Sequence, residues 1–540
     1  METLKIKING IECQVKKGET ILDAAKTVHI KIPTLCKHPD LISTGACGLC
    51  SVKQNGKNKL LRACTTFVEE GMDIITHDGE LYEIRKNILQ LILSAHPNDC
   101  LICQRNGDCE LQKLAMDFGI REQIFTSIVK DIPNDTSTHA IIMDPVKCIG
   151  CGRCVDVCQN IQGIWALEFL YRGFDMRIAP AGYLSLKESP CIKCGQCTVY
   201  CPVGALVEID ETHKVWNVLG NKELYPVVQI APAVKVSVGE DVGLESGTIL
   251  SKKLYALLRA IGFKAVFDTN FGAELTIMEQ GTELVEIVKN KRLDKLPLIT
   301  SFCPAGIDYV EKYYPELIAN CSKIKSPYKM VGSLAKTFYA ERMNIDPAKI
   351  FMVSIMPCTV TKYEITKAEE MFPNGYRDVD ISLTTRELVR MIKASGIQFL
   401  ELKEEEVDNI PGYPAGNKTI FGITGSIMES VLKTAYILLM GKKLENLEFT
   451  QIKEIKRVQT AIIPIKGFGL KVAVANGIAS VKQVLEEIRK AKIEKRDIPY
   501  HFIELMACED GCIGGGGQPY GVTNEIKEKR TKSLYTSSNS

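Results

Sequence analysis

Two four-cysteine ladders constrain this chain more than any other feature. Cys148, Cys151, Cys154 and Cys158 run as C-x2-C-x2-C-x3-C, and Cys191, Cys194, Cys197 and Cys201 repeat the run, with Pro202 after the last. Three thiolates at short gaps wrap three irons of one cubane, while the fourth reaches the neighbouring cubane. Cys201 is therefore expected to complete the Cys148 site, and Cys158 the Cys191 site. Zinc also takes cysteine sets, but the duplicated longer final gap favours two 4Fe-4S clusters about one electron hop apart.

The chain holds 21 cysteines in 540 residues. In a small secreted protein that number would mean disulfides, but here the thiols are grouped in short sets within a long chain, and metal ligation is the leading reading. No apolar run approaches the roughly 18 residues of a membrane span, and the opening METLKIKINGIECQV is no signal peptide. A cytoplasmic location is expected. The formal charge of +2 predicts no nucleic-acid partner.

Four units are expected along the chain. Residues 1–78 open with two alternating runs around Asn9-Gly10 and a helix start at Glu19-Thr20, a pattern that fits a β-grasp shape. Residues 79–125 read as a small helical unit, 139–209 as the duplicated ladder unit with a bacterial-ferredoxin shape, and 215–540 as a large α/β domain. In the last, VVQIAPAVKVSVG, KAVFDT, KLPLITSF and KIFMVSIM read as buried strands alternating with helices. The fold class is thus multidomain α+β and α/β. The charge runs LKEEEVD and IKEKRTK read as exposed helix faces, and TKSLYTSSNS reads as a polar tail.

Two further sets lie upstream of the ladders. Cys36, Cys47, Cys50 and Cys64 have a C-x2-C pair after Gly45, as in a 2Fe-2S loop. Their spacing resembles the N-terminal ferredoxin-like domain of complex I's large iron-sulfur subunit, with structural zinc as the alternative. In HPNDCLICQRNGDC, His96 precedes Cys100, Cys103 and Cys109 with no fourth thiol nearby. A Cys3His zinc site has the same ligands, but the flanking iron-sulfur units favour a His-ligated 4Fe-4S cluster. Cys303, Cys358, Cys508 and Cys512 are far apart in sequence, and the first two follow buried strands, a usual place for functional groups in open α/β domains. Cys13 and Cys321 remain as ordinary buried thiols.

With these sets in order, TSFCPAG, MPCTVTKYE and ELMACEDGCIGGGGQP complete a resemblance to the iron-only, or [FeFe], hydrogenases in their long form. The resemblance covers almost the whole chain. It implies a cubane held by Cys303, Cys358, Cys508 and Cys512, with Cys512 bridging to a diiron unit bearing carbonyl, cyanide and dithiolate ligands. Ala231, Pro232, Met356 and Met506 match the family's pocket wall. Together with one 2Fe-2S and three accessory 4Fe-4S clusters, such a site would interconvert protons and electrons with hydrogen. No nicotinamide or flavin fingerprint is present, so ferredoxin or an NAD(P)H-oxidising flavoprotein subunit is the expected electron partner.

The pocket departs from the family pattern in several places. Phe302 stands where the family has a proton-passing cysteine, and general acid-base transfer typically contributes about 10²–10⁴-fold. Gln280 stands for a glutamate of the same route, whereas Glu283 and Ser322 match it. Thr361 replaces a lysine that bonds a cyanide, with Lys362 next to it as a substitute if the backbone bulges. Gly306 replaces a tryptophan and is expected to remove packing around the pocket. Three readings follow: a hydrogenase with altered proton transfer, a hydrogen or redox sensor of little turnover, and an electron-wiring subunit without the diiron unit.

Overall fold

The computed structural model describes residues 2–290, 295–367, 375–410, 425–444, 450–451, 457–465 and 468–539. At the N-terminus, strands Thr3–Ile8 and Ile11–Lys16 pair antiparallel across the Asn9-Gly10 turn. Both turn residues have positive φ, 50° and 79°, the backbone a tight hairpin demands. Helix Ile21–Thr27 starts on Thr20, whose side chain accepts from Asp23 N–H. Three more strands complete a mixed five-stranded sheet in the order Ile11–Lys16, Thr3–Ile8, Asp73–Ile75, Ser51–Gln54, Leu60–Arg62.

Helix Gly79–Ser94, capped by the Asp78 side chain, carries the buried Arg85 back to this sheet. The Arg85 guanidinium donates to the carbonyls of Leu49, Ser51 and Thr76 at 2.7–3.1 Å, which fixes the loop bearing Cys47 and Cys50. Helix Glu110–Asp117 follows the His96 loop. Strands Ile141–Met143 and Leu206–Glu208 then pair antiparallel and close the ladder unit at its two ends.

The C-terminal region is built on two sheets. Four parallel strands stand in the order Ala265–Asp268, Tyr225–Ile230, Ile350–Met356, Ile381–Thr384. Their buried apolar residues, such as Val228, Val266 and Val353, pack with residues of helices Ser251–Ile261, Pro327–Leu334 and Thr385–Ser395. In the second sheet Leu298–Thr300, Phe502–Met506 and Phe468–Asn476 run parallel, and Val458–Ile465 and Thr450–Gln451 extend it antiparallel. Helices Pro304–Tyr313 and Ile478–Ile493 contribute to the apolar cluster on one side, Thr269–Lys289 and Ser426–Met440 to that on the other. No helix among the described residues is long and apolar enough to cross a membrane.

Several local expectations are corrected. The strand in VVQIAPAVKVSVG ends at Ile230, because Pro232 starts a short helix, Pro232–Lys235, where its fixed φ fits and its missing N–H costs nothing. LKEEEVD is irregular rather than helical, and its Glu405 and Asp408 pair with Arg259. Residues 531–539 of the segment read as a polar tail lie within helix Asn524–Asn539. IKEKRTK is not simply a solvated face: Arg530 is fully buried, donating to Ile513 O and pairing with Glu240, and Leu534, four residues on, packs near Ala233 and Ile513.

Candidate metal centres

The N-terminal thiols converge in a small space. Cys50 Sγ lies 3.3 Å from Cys64 Sγ, Cys36 is within hydrogen-bond reach of Cys47 and Cys64, and Leu35 N–H points at Cys47 Sγ from 3.5 Å. Gly48, with φ of 75°, lets the loop turn beneath Arg62, whose guanidinium donates to Gly48 O at 2.8 Å.

His96 is buried, and its Nδ1 lies 3.0 Å from Pro97 O. With the proton there, Nε2 carries the lone pair, and this atom is buried with no hydrogen-bond partner among the described residues. Burial also lowers the imidazole's pKa, which favours the neutral ligand form. A buried, unpartnered imidazole nitrogen is what a His-ligated metal centre requires of its histidine. Cys103 abuts the ladder unit: a Cβ on Gly204 would lie 2.7 Å from its Sγ.

In the ladder unit the fold carries each fourth cysteine across. Cys148, Cys151, Cys154 and Cys201 line one cavity whose walls are otherwise mostly apolar, among them Ile149, Ile178, Val203 and Leu206. Cys158 lies close enough to Cys191 and Cys197 for its charge to act on both. Burial pushes the Cys148 and Cys191 thiols up to about 11. Buried thiolates are therefore costly unless cationic centres lie among them, as in an iron-sulfur cluster. A cubane spreads its thiolates over four irons, which suits four thiols set around a cavity.

The last four cysteines meet at the carboxyl ends of strands from both sheets. Cys303 follows Leu298–Thr300, Cys358 follows Ile350–Met356, and Cys508 and Cys512 follow Phe502–Met506. All four line a single cavity with Ala231, Pro232, Phe302, Met356 and Met506. The cavity has a volume of about 50 Å³. Burial pushes the Cys358 thiol up to about 12 and raises Cys508 and Cys512 well above the ordinary thiol range. This donor set and cavity fit a metal cluster with an apolar-walled annex.

The glycine run is threaded between two of these loops. A Cβ on Gly515 would lie 2.2 Å from Pro357 O, one on Gly516 2.1 Å from Cys194 O, and one on Gly517 3.0 Å from Cys358 N. Gln196, inside the second ladder, donates to Cys508 Sγ at 3.3 Å and Gly514 O at 2.7 Å. Its place between two ladder cysteines was the only sequence signal for this bridging role.

The proton-route candidates sit on helix Thr269–Lys289 and beside it. Ser322 Oγ donates to Glu283 Oε2 at 2.6 Å, and burial pushes Glu283 above the usual carboxylate range. Gln280 Nε2 donates to Thr300 Oγ1 at 2.5 Å, while its buried Oε1 has no partner among the described residues.

Two pocket expectations are corrected. Lys362 does not reach the cavity: its buried ammonium bonds Glu387 Oε1, Glu211 Oε2 and Ser382 O at 2.7–3.1 Å. The backbone does not bulge, since Val360–Glu364 is a regular helical turn that aims consecutive residues apart. Thr361 does line the cavity, accepting from Ser382 Oγ at 2.7 Å. Nor does Gly306 leave a gap. Ser301, hydrogen-bonded to Cys303 O and Leu505 O, fills the place, and a Cβ there would meet its Oγ at 2.5 Å.

The chain is similar to known iron-sulfur proteins over almost its whole length. Residues 225–516 match the family model of the iron only hydrogenase large subunit, C-terminal domain. Residues 1–79 match a 2Fe-2S iron-sulfur cluster binding domain, 85–123 an NADH-ubiquinone oxidoreductase-G iron-sulfur binding region, and 147–205 a 4Fe-4S dicluster domain. The chain is 39% identical over 545 residues to the NADP-reducing hydrogenase subunit HndD of Solidesulfovibrio fructosivorans, covering 99% of this chain and 92% of that protein. Iron hydrogenase 1 of Clostridium pasteurianum is 35% identical over 534 residues, covering 98% and 92%. A structure of the [FeFe]-hydrogenase HydA1 from Chlamydomonas reinhardtii is 34% identical, with a TM-score of 0.55, covering 61% of this chain and 89% of that chain.

Proposed function

The chain belongs to the iron-only hydrogenase family, in the long form with an N-terminal 2Fe-2S domain, and from that premise we propose that the cavity lined by Cys303, Cys358, Cys508 and Cys512 holds a cubane joined through Cys512 to a diiron unit. It is a hydrogenase-type iron-sulfur oxidoreductase. The diiron unit, when bound, supplies the metal at which protons and electrons combine to hydrogen, or the reverse. The observation that carries the reading is the meeting of Cys303, Cys358, Cys508 and Cys512 on one cavity with Phe302, Met356 and Met506 in its wall.

The proposal assigns Cys36, Cys47, Cys50 and Cys64 to one 2Fe-2S cluster in a β-grasp domain. His96, Cys100, Cys103 and Cys109 hold a 4Fe-4S cluster in a small helical domain, and the two ladders hold two more in a ferredoxin-like domain. Units at 1–78, 79–125, 139–209 and 215–540 accommodate them. Contacts through Gly204 and Gln196 support an inward electron path from the His96 site, over the Cys148 and Cys191 sites, to Cys508. The likeness to HndD, a subunit of an NADP-reducing hydrogenase, supports a partner subunit that handles nicotinamide, with ferredoxin as the other donor. The thiol-rich centres suit a reducing cytoplasm.

A sensor or a wiring subunit is not favoured by the hydrogenase relatives. Phe302, Gln280 and Thr361 nevertheless mark a pocket with altered proton transfer. The test is Cys512→Ser: hydrogen evolution from a reduced dye should vanish while the electron paramagnetic resonance of the accessory clusters persists. Retained turnover would overturn the role of Cys512.

A further inference from the structure

We propose that Tyr328, Glu364 and Lys329 form a proton relay between solvent and the cavity, in place of the thiol that Phe302 displaces; the inference rests on the hydrogenase reading above. Among the described residues, three of the cavity wall carry hydroxyls: Thr269, Tyr328 and Thr361. Thr269 donates to the Gln229 amide oxygen at 3.1 Å, and Thr361 to Cys358 O at 3.3 Å. Neither acceptor takes up and releases protons in water. Tyr328 differs, because its hydroxyl donates to the Glu364 carboxylate.

Glu364 leads outward. Its Oε1 lies 2.5 Å from Lys329 Nζ, and both side chains keep 13% exposure. It also lies near the metal site, since its charge is felt at Cys303 and Cys358. The start of the Tyr328 helix is pinned: Gln229 Nε2 donates to Tyr328 O at 2.7 Å, and a Cβ on Gly272 would lie 2.0 Å from Pro327 O. The two helices therefore touch, backbone to backbone, and fix the point from which the Tyr328 side chain leaves its helix.

One proton moves per cycle. Glu364 takes a proton from solvent or from the Lys329 ammonium, which is then refilled by solvent. The phenol oxygen accepts that proton as its own leaves into the cavity, so hydroxyl and carboxylate are both restored. No electron passes through these groups; electrons arrive by the clusters. The surviving Glu283–Ser322 pair offers no such link, because Gln280 beyond it cannot titrate.

Tyr328→Phe, Glu364→Gln and Glu364→Asp test the relay in the matured full chain. With the carbonyl and cyanide infrared bands intact, Tyr328→Phe and Glu364→Gln should lose about 10²-fold in hydrogen evolution and show a larger solvent deuterium effect, whereas Glu364→Asp should recover part of the rate. A readout independent of turnover uses the chain before maturation. With ring-deuterated tyrosine, the phenol band lost in Tyr328→Phe should move in Glu364→Gln. Unchanged rate and isotope effect in Tyr328→Phe, or an unmoved phenol band, would overturn the relay while leaving the hydrogenase reading intact. Absence of the diiron bands from the parent as well would overturn that reading and the relay with it.

Discussion

Phe302 sits half-buried in the cavity wall, and its ring can neither donate nor accept the protons that the reaction consumes. Phe302→Cys restores a titratable thiol beside Cys303. We expect hydrogen evolution to rise by a few-fold at most, below the roughly 10²-fold floor of general acid-base catalysis, because Gln280 still interrupts the path to Glu283. No gain, with the diiron bands retained, would show that the usual route carries little of the proton flow. Phe302, Gln280 and Thr361 were legible in the sequence because each falls inside or beside a recognisable motif. Tyr328 was not, since no motif surrounds it and only folding sets its hydroxyl beside Glu364. Lys362 illustrates the opposite failure: adjacency in sequence placed it at the pocket, while helical geometry turned it to Glu387.

At the scale of elements, the site depends on loops packed backbone to backbone. Gly516 is the tightest point of the glycine run, and Gly516→Ala would force the glycine loop away from Cys194 O, 2.1 Å from the added Cβ. Overpacking of this kind costs about 1–3 kcal/mol. Anaerobic thermal unfolding should register the loss, and electron transfer from the accessory clusters to the Cys508 site should slow; an unaltered midpoint and transfer rate would refute the close contact. The strands that carry Cys303 and Cys358 were legible as apolar runs, and the Asn9-Gly10 hairpin as turn chemistry. The end of the Tyr225–Ile230 strand was misjudged because apolar residues continue past Pro232, where packing against helix Asn524–Asn539 rather than periodicity keeps them buried.

Across the whole molecule, Glu208 joins three regions. This buried carboxylate, at the end of the ladder unit, meets Arg386 and Arg390 of helix Thr385–Ser395 at 2.5–2.9 Å and accepts from Gln104 of the His96 loop at 3.1 Å. Tyr520 lies between the Arg105 and Arg386 guanidiniums, 3.5 and 4.5 Å from its ring centre. Burial alone would raise the Glu208 pKa, but the two arginines hold it well below the usual carboxylate range. A depressed folded pKa contributes stability above the unfolded value, near 4.3 for glutamate, and loses it as pH falls further. Glu208→Gln should therefore cost about 3–5 kcal/mol at neutral pH, and the gap to the parent should narrow only below about pH 4.3 in denaturant unfolding. A gap that narrows already between pH 7 and 5 would contradict the assignment. Nothing in the sequence singled out Glu208, because its partners lie about 180 residues away and isolated charges carry no pattern.

The same long-range assembly gathers Cys303, Cys358, Cys508 and Cys512 on one cavity, and the account stands on what that cavity binds. Infrared spectroscopy of the anaerobically matured full chain tests this most directly. The account predicts carbonyl and cyanide bands that disappear in Cys512→Ser while the accessory clusters remain. A matured parent with intact clusters and no such bands would contradict it.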